Sequence, residues 1–168
     1  FNTIVGISED IIRDIELINE KVESKNLDDG LSEDFIKEIA KQNFLSDDFL
    51  IFYTISFAMI QDCSIKILEN ELIDDGYIDS NKTATLLQRW TSQREREQWL
   101  LRTGILDEGT VGEMKRIRKS RNNLTHELSS TQNIAGTEIA KSDFDRTISL
   151  VEDLLNMLDS HSFNSKNK

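Results

Sequence analysis

The chain has 168 residues and a mass of 19.4 kDa, the length of one domain. Hydrophobic residues make up 38% and charged residues 30%, proline is absent and glycine occurs seven times, which excludes collagen-like, mucin-like and Pro/Gly-rich disordered chains and weakens the case for a turn-rich sheet protein. Thirty-one acidic against twenty basic residues leave a net charge of −11, which argues against broad binding to duplex DNA but leaves room for a local basic site.

From about Thr3 to Lys25 the residues Ile4, Ile7, Ile11, Ile15, Ile18 and Val22 recur every three or four positions, the stripe of an amphipathic helix. Ser8 is read as the cap of its main body, with Glu9 and Asp10 favourable near the N-terminus. A loop follows around Gly30. Ser32 then caps a second helix over about Glu33–Asn43, with Phe35, Ile36, Ile39 and Ala40 inward. Ser46, Asp47 and Asp48 suit the start of a third helix. Its stretch Phe49–Ile60 is apolar nearly all round, as in a helix buried on several sides. The aromatic and branched run Phe49–Phe57 would also suit a strand. However, the period continues through Ser64, Ile67 and Leu72, longer than strands run. Asp74, Asp75 and Gly76 close that helix.

Thr83 to about Leu101 reads as a fourth helix, with Leu86, Leu87, Trp90, Arg94 and Gln98 on related faces. Trp90 and Trp99 are assigned as core or interface anchors rather than stacking platforms for bases. Gly104 and Gly109 flank a break. A fifth helix spans about Glu108–Glu127, with Val111, Met114, Ile117, Leu124 and Leu128 inward. Ser129–Gly136 is a loop. A sixth helix covers about Ser142–Asp159, with Phe144, Ile148, Val151, Leu155 and Leu158 inward. Residues 161–168 read as a polar, flexible tail. The expected fold is all-α: one domain over residues 1–160, an antiparallel bundle of four to five long helices plus a short one.

Cys63, the single cysteine, sits in an apolar helical pattern and reads as a core thiol. One cysteine permits no internal disulfide and fits a reducing, cytoplasmic setting. No uninterrupted apolar run reaches the roughly 18 residues of a membrane span, so no membrane partner is expected.

Charge is unevenly distributed. Residues 1–80 carry six basic and nineteen acidic side chains, net −13, residues 81–130 carry ten and six, net +4, and residues 131–168 carry four and six, net −2. The densest basic stretch is KRIRKSR, with Lys115, Arg116, Arg118, Lys119 and Arg121. It would concentrate an anionic partner on one side of an otherwise repelling molecule. Its last arginine, Arg121, opens RNNLTH. On a helix Arg121 and His126 lie about 140° and about 7.5 Å apart, and Asn122 and His126 share a face. Arg118, Asn122, Thr125 and His126 are expected on a polar face opposite Ile117, Leu124 and Leu128.

Histidine and arginine side by side suit RNA cleavage. The 2′-hydroxyl loses a proton as it attacks the adjacent phosphate, and the 5′-oxygen must be stabilised or protonated. An imidazole serves either role near neutrality. A guanidinium forks the phosphate oxygens and stabilises the pentacoordinate state. Arg121, His126 and Asn122 are thus the candidate catalytic residues, and Lys115, Arg116, Arg118, Lys119 and Thr125 the candidate RNA-binding ones. No metal-ligand spacing is visible and no cofactor is expected. His161, the other histidine, falls in the expected tail. Two copies meeting on the Arg118–His126 helix would place two histidines and two arginines around one phosphate.

At Arg121, Asn122 and His126 the chain resembles the HEPN superfamily, all-helical domains with an R-x4–6-H motif and a polar residue after the arginine. The resemblance implies a metal-independent endoribonuclease, dimeric with paired motifs in a shared cleft, whose products end in a 2′,3′-cyclic phosphate and a 5′-hydroxyl. It further implies a toxin or phage-defence effector, with an antitoxin or sensor domain as partner, or an RNA-processing enzyme. Toxin members often carry a tyrosine shortly after the histidine; here Glu127 and Leu128 stand in that place. The competing expectation is a non-catalytic interaction module whose acidic first eighty residues dock a basic partner or a neighbouring domain.

Overall fold

The computed structural model describes residues 1–23, 33–74, 80–126 and 137–165. Among these the structure is all-α, with helices α1 (Asn2–Glu23), α2 (Glu33–Asp74), α3 (Ser80–Trp90), α4 (Gln93–Arg102), α5 (Glu108–His126) and α6 (Thr137–Ser165). Helix α2 packs against each of the other five, α6 also touches α1 and α5, and α4 also touches α5. Burying the apolar stripes of five helices on one central helix is the organising principle of the core.

Helix α1 buries Ile4, Ile11, Ile15 and Val22 as its spacing foretells. Ser8 is not a cap. It lies inside the helix, buried, and its hydroxyl donates to the Val5 carbonyl at 2.7 Å, the local bond open to a serine one turn into a helix.

The second and third expected helices are one. Helix α2 runs 42 residues, about 63 Å at the rise of an α-helix. Ser46, Asp47 and Asp48 are interior positions, because no glycine or proline interrupts Glu33–Asp74 and tertiary burial outweighs a local start signal. Its portion Asp47–Leu72 is long and apolar enough to cross a membrane by length and composition. A count of uninterrupted apolar residues misses this, since Asp62, Lys66 and scattered hydroxyls break the run. In this fold its Phe52, Ile60 and Ile67 are fully buried. Phe52 packs against Phe144 of α6 as a tilted pair at 4.5 Å between ring centroids and meets Tyr53 edge-on at 5.2 Å. Cys63 is buried among them, and burial, with Asp62 nearby, pushes its thiol up to about 11.

The fourth expected helix is two. Ser92 N-caps α4: its side chain accepts from the Glu95 backbone N–H at 3.3 Å while the Glu95 carboxylate accepts from the Ser92 N–H at 2.7 Å. That reciprocal pair is a capping box, whose S-x-x-E signature stands in the sequence at Ser92–Glu95. The corner is held by Arg96, which is buried and donates through Nη1 to the carbonyls of Leu87 and Thr91 at 3.1 and 2.6 Å. Gln93 carries the bonding inward, donating to the Ser64 hydroxyl at 3.1 Å. Gly104, at φ +73°, closes α4 in the left-handed conformation that favours glycine.

Asp107 starts α5, its carboxylate accepting from the Thr110 N–H at 2.7 Å, which holds that carboxyl below its ordinary value. Helix α6 begins five residues before the expected Ser142 and continues to Ser165, through part of the expected tail. The loop expected at Ser129–Gly136 lies outside the described residues.

Candidate functional site

Helix α5 carries every candidate residue. Its Val111, Met114 and Ile117 are fully buried, fixing how the rest of the helix is turned. Arg121 follows Met114 by seven and Ile117 by four, so it continues the buried stripe, apart from the polar face expected for Asn122 and His126. Its guanidinium carbon lies 5.4 Å from the ring centroid of Phe57 in α2, within cation–π range. Its Nη1 donates to the Asn122 Oδ1 at 3.1 Å, while its Nε is buried with no hydrogen-bond partner. A buried donor left this way costs its desolvation, so the guanidinium's charge is held in place by the ring and the amide rather than by a carboxylate.

The basic run divides into two groups. Arg118 forks onto Glu97 of α4, with Nε–Oε1 at 3.1 Å and Nη2–Oε2 at 3.0 Å, and Glu97 is fully buried. Arg116 donates through Nε to Glu113 at 2.8 Å and through Nη2 to Thr147 at 2.9 Å, with Asp143 at 3.5 Å. Arg146 of α6 also binds Glu113. Burial pushes the Glu113 carboxyl up, but the bonds from Arg116 and Arg146 outweigh it and hold it below its ordinary value. Burial, then the Asp143 charge, raises the Tyr53 hydroxyl beside this network. Arg116 and Arg118, expected on a free RNA-binding face, are therefore joints between helices: a buried or half-buried carboxylate in reach holds an arginine fork more firmly than solvent does.

Lys115 and Lys119 form the other group. Among the described residues neither is in an ion pair; Lys119 is exposed and Lys115 half-buried. The positions 115, 119, 122 and 126 follow one another at spacings of four, three and four, which places them on one face of α5. Asn122 sits on that face and, through its bond to Arg121, ties it to the neighbouring stripe. Thr125 is exposed and its hydroxyl donates to the Arg121 carbonyl at 2.8 Å. His126 is the last residue of α5; its ring, like the Trp90 ring and the whole His161 side chain, lies outside the described side chains.

Two contributors escape sequence reading. Phe57, buried in α2, supplies the ring under Arg121, and Glu97 anchors Arg118 across 21 positions of sequence. Neither has a local signal, because both act across helices. Among the described residues no group of three His, Cys, Asp or Glu side chains could hold a metal ion.

Comparison of the chain with family models, with curated proteins and with solved structures returns no match. The family resemblance rests on Arg121, Asn122 and His126.

Proposed function

We propose that the chain is a metal-independent endoribonuclease whose Arg121 and His126 promote attack of a 2′-hydroxyl on the adjacent phosphodiester, leaving a 2′,3′-cyclic phosphate and a 5′-hydroxyl. The observation that carries this reading is the state of Arg121. Its half-buried guanidinium is held against the Phe57 ring and the Asn122 oxygen and, among the described residues, is in no ion pair. Charge is stabilised best by a donor already aimed and not consumed by an internal acceptor. Lys115 and Lys119, unpaired among the described residues, add positive potential on the Asn122 face and draw the phosphate chain along it. Asn122 orients the guanidinium. His126 exchanges the proton with the 2′-oxygen or the leaving 5′-oxygen.

One histidine on one helix is a thin acid–base set. In this reading a homodimer through the Arg118–His126 helix brings two motifs to one phosphate, with RNA as substrate and no cofactor. Toxin or phage-defence activity under an antitoxin or sensor domain belongs to the same proposal, as does a cytoplasmic setting. A second reading, the non-catalytic interaction module, draws support from Arg116 and Arg118, which spend their charge inside the fold.

The test is digestion of single-stranded RNA in excess chelator by the parent chain, Arg121→Ala and Arg121→Lys. The proposal expects cyclic-phosphate ends from the parent, a loss of about 100-fold or more for Arg121→Ala, and little rescue by lysine, which lacks the fork. Parent-level cleavage by Arg121→Ala contradicts it.

A further inference from the structure

Trp99 has the spacing of a core anchor, yet it is 43% exposed. It forms one wall of a groove of about 290 Å³ whose other apolar walls are Leu72, Leu86 and Leu87, with Thr91 and the Glu95 side chain at its edge. Leu86 is 40% exposed. Two large apolar side chains facing water across a preformed groove are costly to leave uncovered.

Cations do not line the groove itself but stand on the helices that wall it. Lys82 and Arg89 lie four before and three after Leu86 on α3, and Arg102 lies three after Trp99 on α4, one helical turn away in each case. Arg94 shares the outer face of α4 with Gln98 and Arg102. Lys82, Arg89, Arg94 and Arg102 are all exposed, and among the described residues none of them is in an ion pair. The one carboxylate lining the groove among the described residues, Glu95, is occupied by the backbone N–H and hydroxyl of Ser92, bonds that hold it below its ordinary value. Residues 1–80, which supply Leu72 to the groove, carry a net −13, so the cationic side is the α3–α4 face.

We propose that the outer face of α3 and α4 is a binding site for single-stranded RNA, in which an unpaired base stacks on Trp99 over the groove and the flanking phosphates meet Lys82, Arg89, Arg94 and Arg102. An exposed aromatic interleaved with unpaired cations is the chemistry that grips a single strand without reading its sequence. A duplex offers no free base to the indole. An apolar protein segment would fill the groove but leave four cations uncompensated, so charge complementarity selects the polyanion. The choice of RNA over DNA rests on the nuclease reading; the site itself does not. It would hold substrate away from Arg121 and raise the local concentration of phosphodiester at α5.

The experiment measures binding of a fluorescein-labelled single-stranded RNA 12-mer, and of its duplex, to the full chain in a His126→Ala background so that the probe stays intact. Trp99→Ala should weaken binding of the single strand roughly tenfold or more, and Trp99→Phe should restore most of it. Arg94→Gln with Arg102→Gln should lower the slope of log affinity against log salt by about 1.4. Circular dichroism confirms that each variant folds. Parental affinity in Trp99→Ala, binding insensitive to salt, no binding by the parent, or a dimer that Trp99→Ala converts to monomer would each overturn the proposal, the last because the groove would then hold a second copy. The two readings fail separately. Trp99-dependent binding by a chain that cuts no RNA sinks the nuclease and leaves this site. Cleavage whose KM is unmoved by Trp99→Ala does the reverse.

Discussion

The Arg118 guanidinium forks onto the fully buried Glu97 carboxylate with bonds of 3.1 and 3.0 Å, and this pair rather than a free cationic surface joins α4 to the candidate site helix. Removing one partner leaves the other's charge buried and uncompensated. Glu97→Ala and Arg118→Ala should therefore each cost about 3–5 kcal/mol, while Glu97→Leu with Arg118→Met should cost far less than the two single changes together. Urea denaturation of the four chains checks this. Additive losses would show that the pair is not coupled.

The corner between α3 and α4 depends on Ser92. Loss of its cap in Ser92→Ala should lower stability by about 1 kcal/mol, read as a lower melting temperature. Ser92→Thr or Ser92→Asp should retain most of it. An unchanged melting temperature in Ser92→Ala would mean that Arg96, through its bonds to Leu87 and Thr91, holds the corner unaided.

Glu113 and Glu95 both ionise more readily in the folded chain than in the unfolded one. For such groups the stabilisation is complete above the unfolded glutamate value of about 4.3 and is lost as pH falls through the lower folded value. Stability should therefore drop below about pH 4.5. Glu113→Gln should flatten that part of the profile while lowering stability at neutral pH. A variant whose acid profile superimposes on the parent's would refute the assignment.

Cys63 offers a probe of the core. With its thiol buried and pushed up to about 11, almost none of it is the reactive thiolate at pH 8. Labelling by an aromatic disulfide should be slow in the native chain and immediate in denaturant. Rapid labelling of the native chain would show that α2 opens around Cys63.

Much of this architecture was legible in one dimension. The stripes Ile4–Ile11–Ile15 and Val111–Met114–Ile117 carry the helical period and are buried as read, because burial of one helix face leaves its mark every three or four residues. Boundaries were less legible. Ser46 and Asp47 have the chemistry of a start, but only packing against five neighbours decides that α2 passes through them. The opposite case is Ser92 to Glu95, whose capping box is a local signal that ends one helix and starts the next inside an otherwise continuous stripe. At the candidate site, the motif of Arg121, Asn122 and His126 stands in the sequence, whereas the fate of the basic run does not. Whether Arg116 and Arg118 face water or carboxylates is settled by Glu97, Glu113 and Asp143, and Glu97 and Asp143 lie more than twenty positions from their arginines. The exposure of Trp99 was not legible, since its helical spacing alone does not say which face of α4 the neighbouring helices cover.

The proposed role of Arg121 extends to its platform. Phe57→Leu keeps an apolar side chain but removes the ring, forfeiting about 1–2 kcal/mol of attraction to the guanidinium. Cleavage should fall several-fold in kcat with KM little changed, and Phe57→Tyr should rescue it. A fall confined to KM would place Arg121 in binding rather than in stabilising the reacting phosphate.

The central claim is that His126 moves the proton in RNA cleavage. The direct measurement compares the parent chain with His126→Ala on end-labelled single-stranded RNA in excess chelator, resolving cyclic-phosphate from linear ends. The account predicts cyclic-phosphate products from the parent and a rate at least about 100-fold lower from His126→Ala. Equal rates from the two chains, or no cleavage by the parent as a dimer, would contradict it.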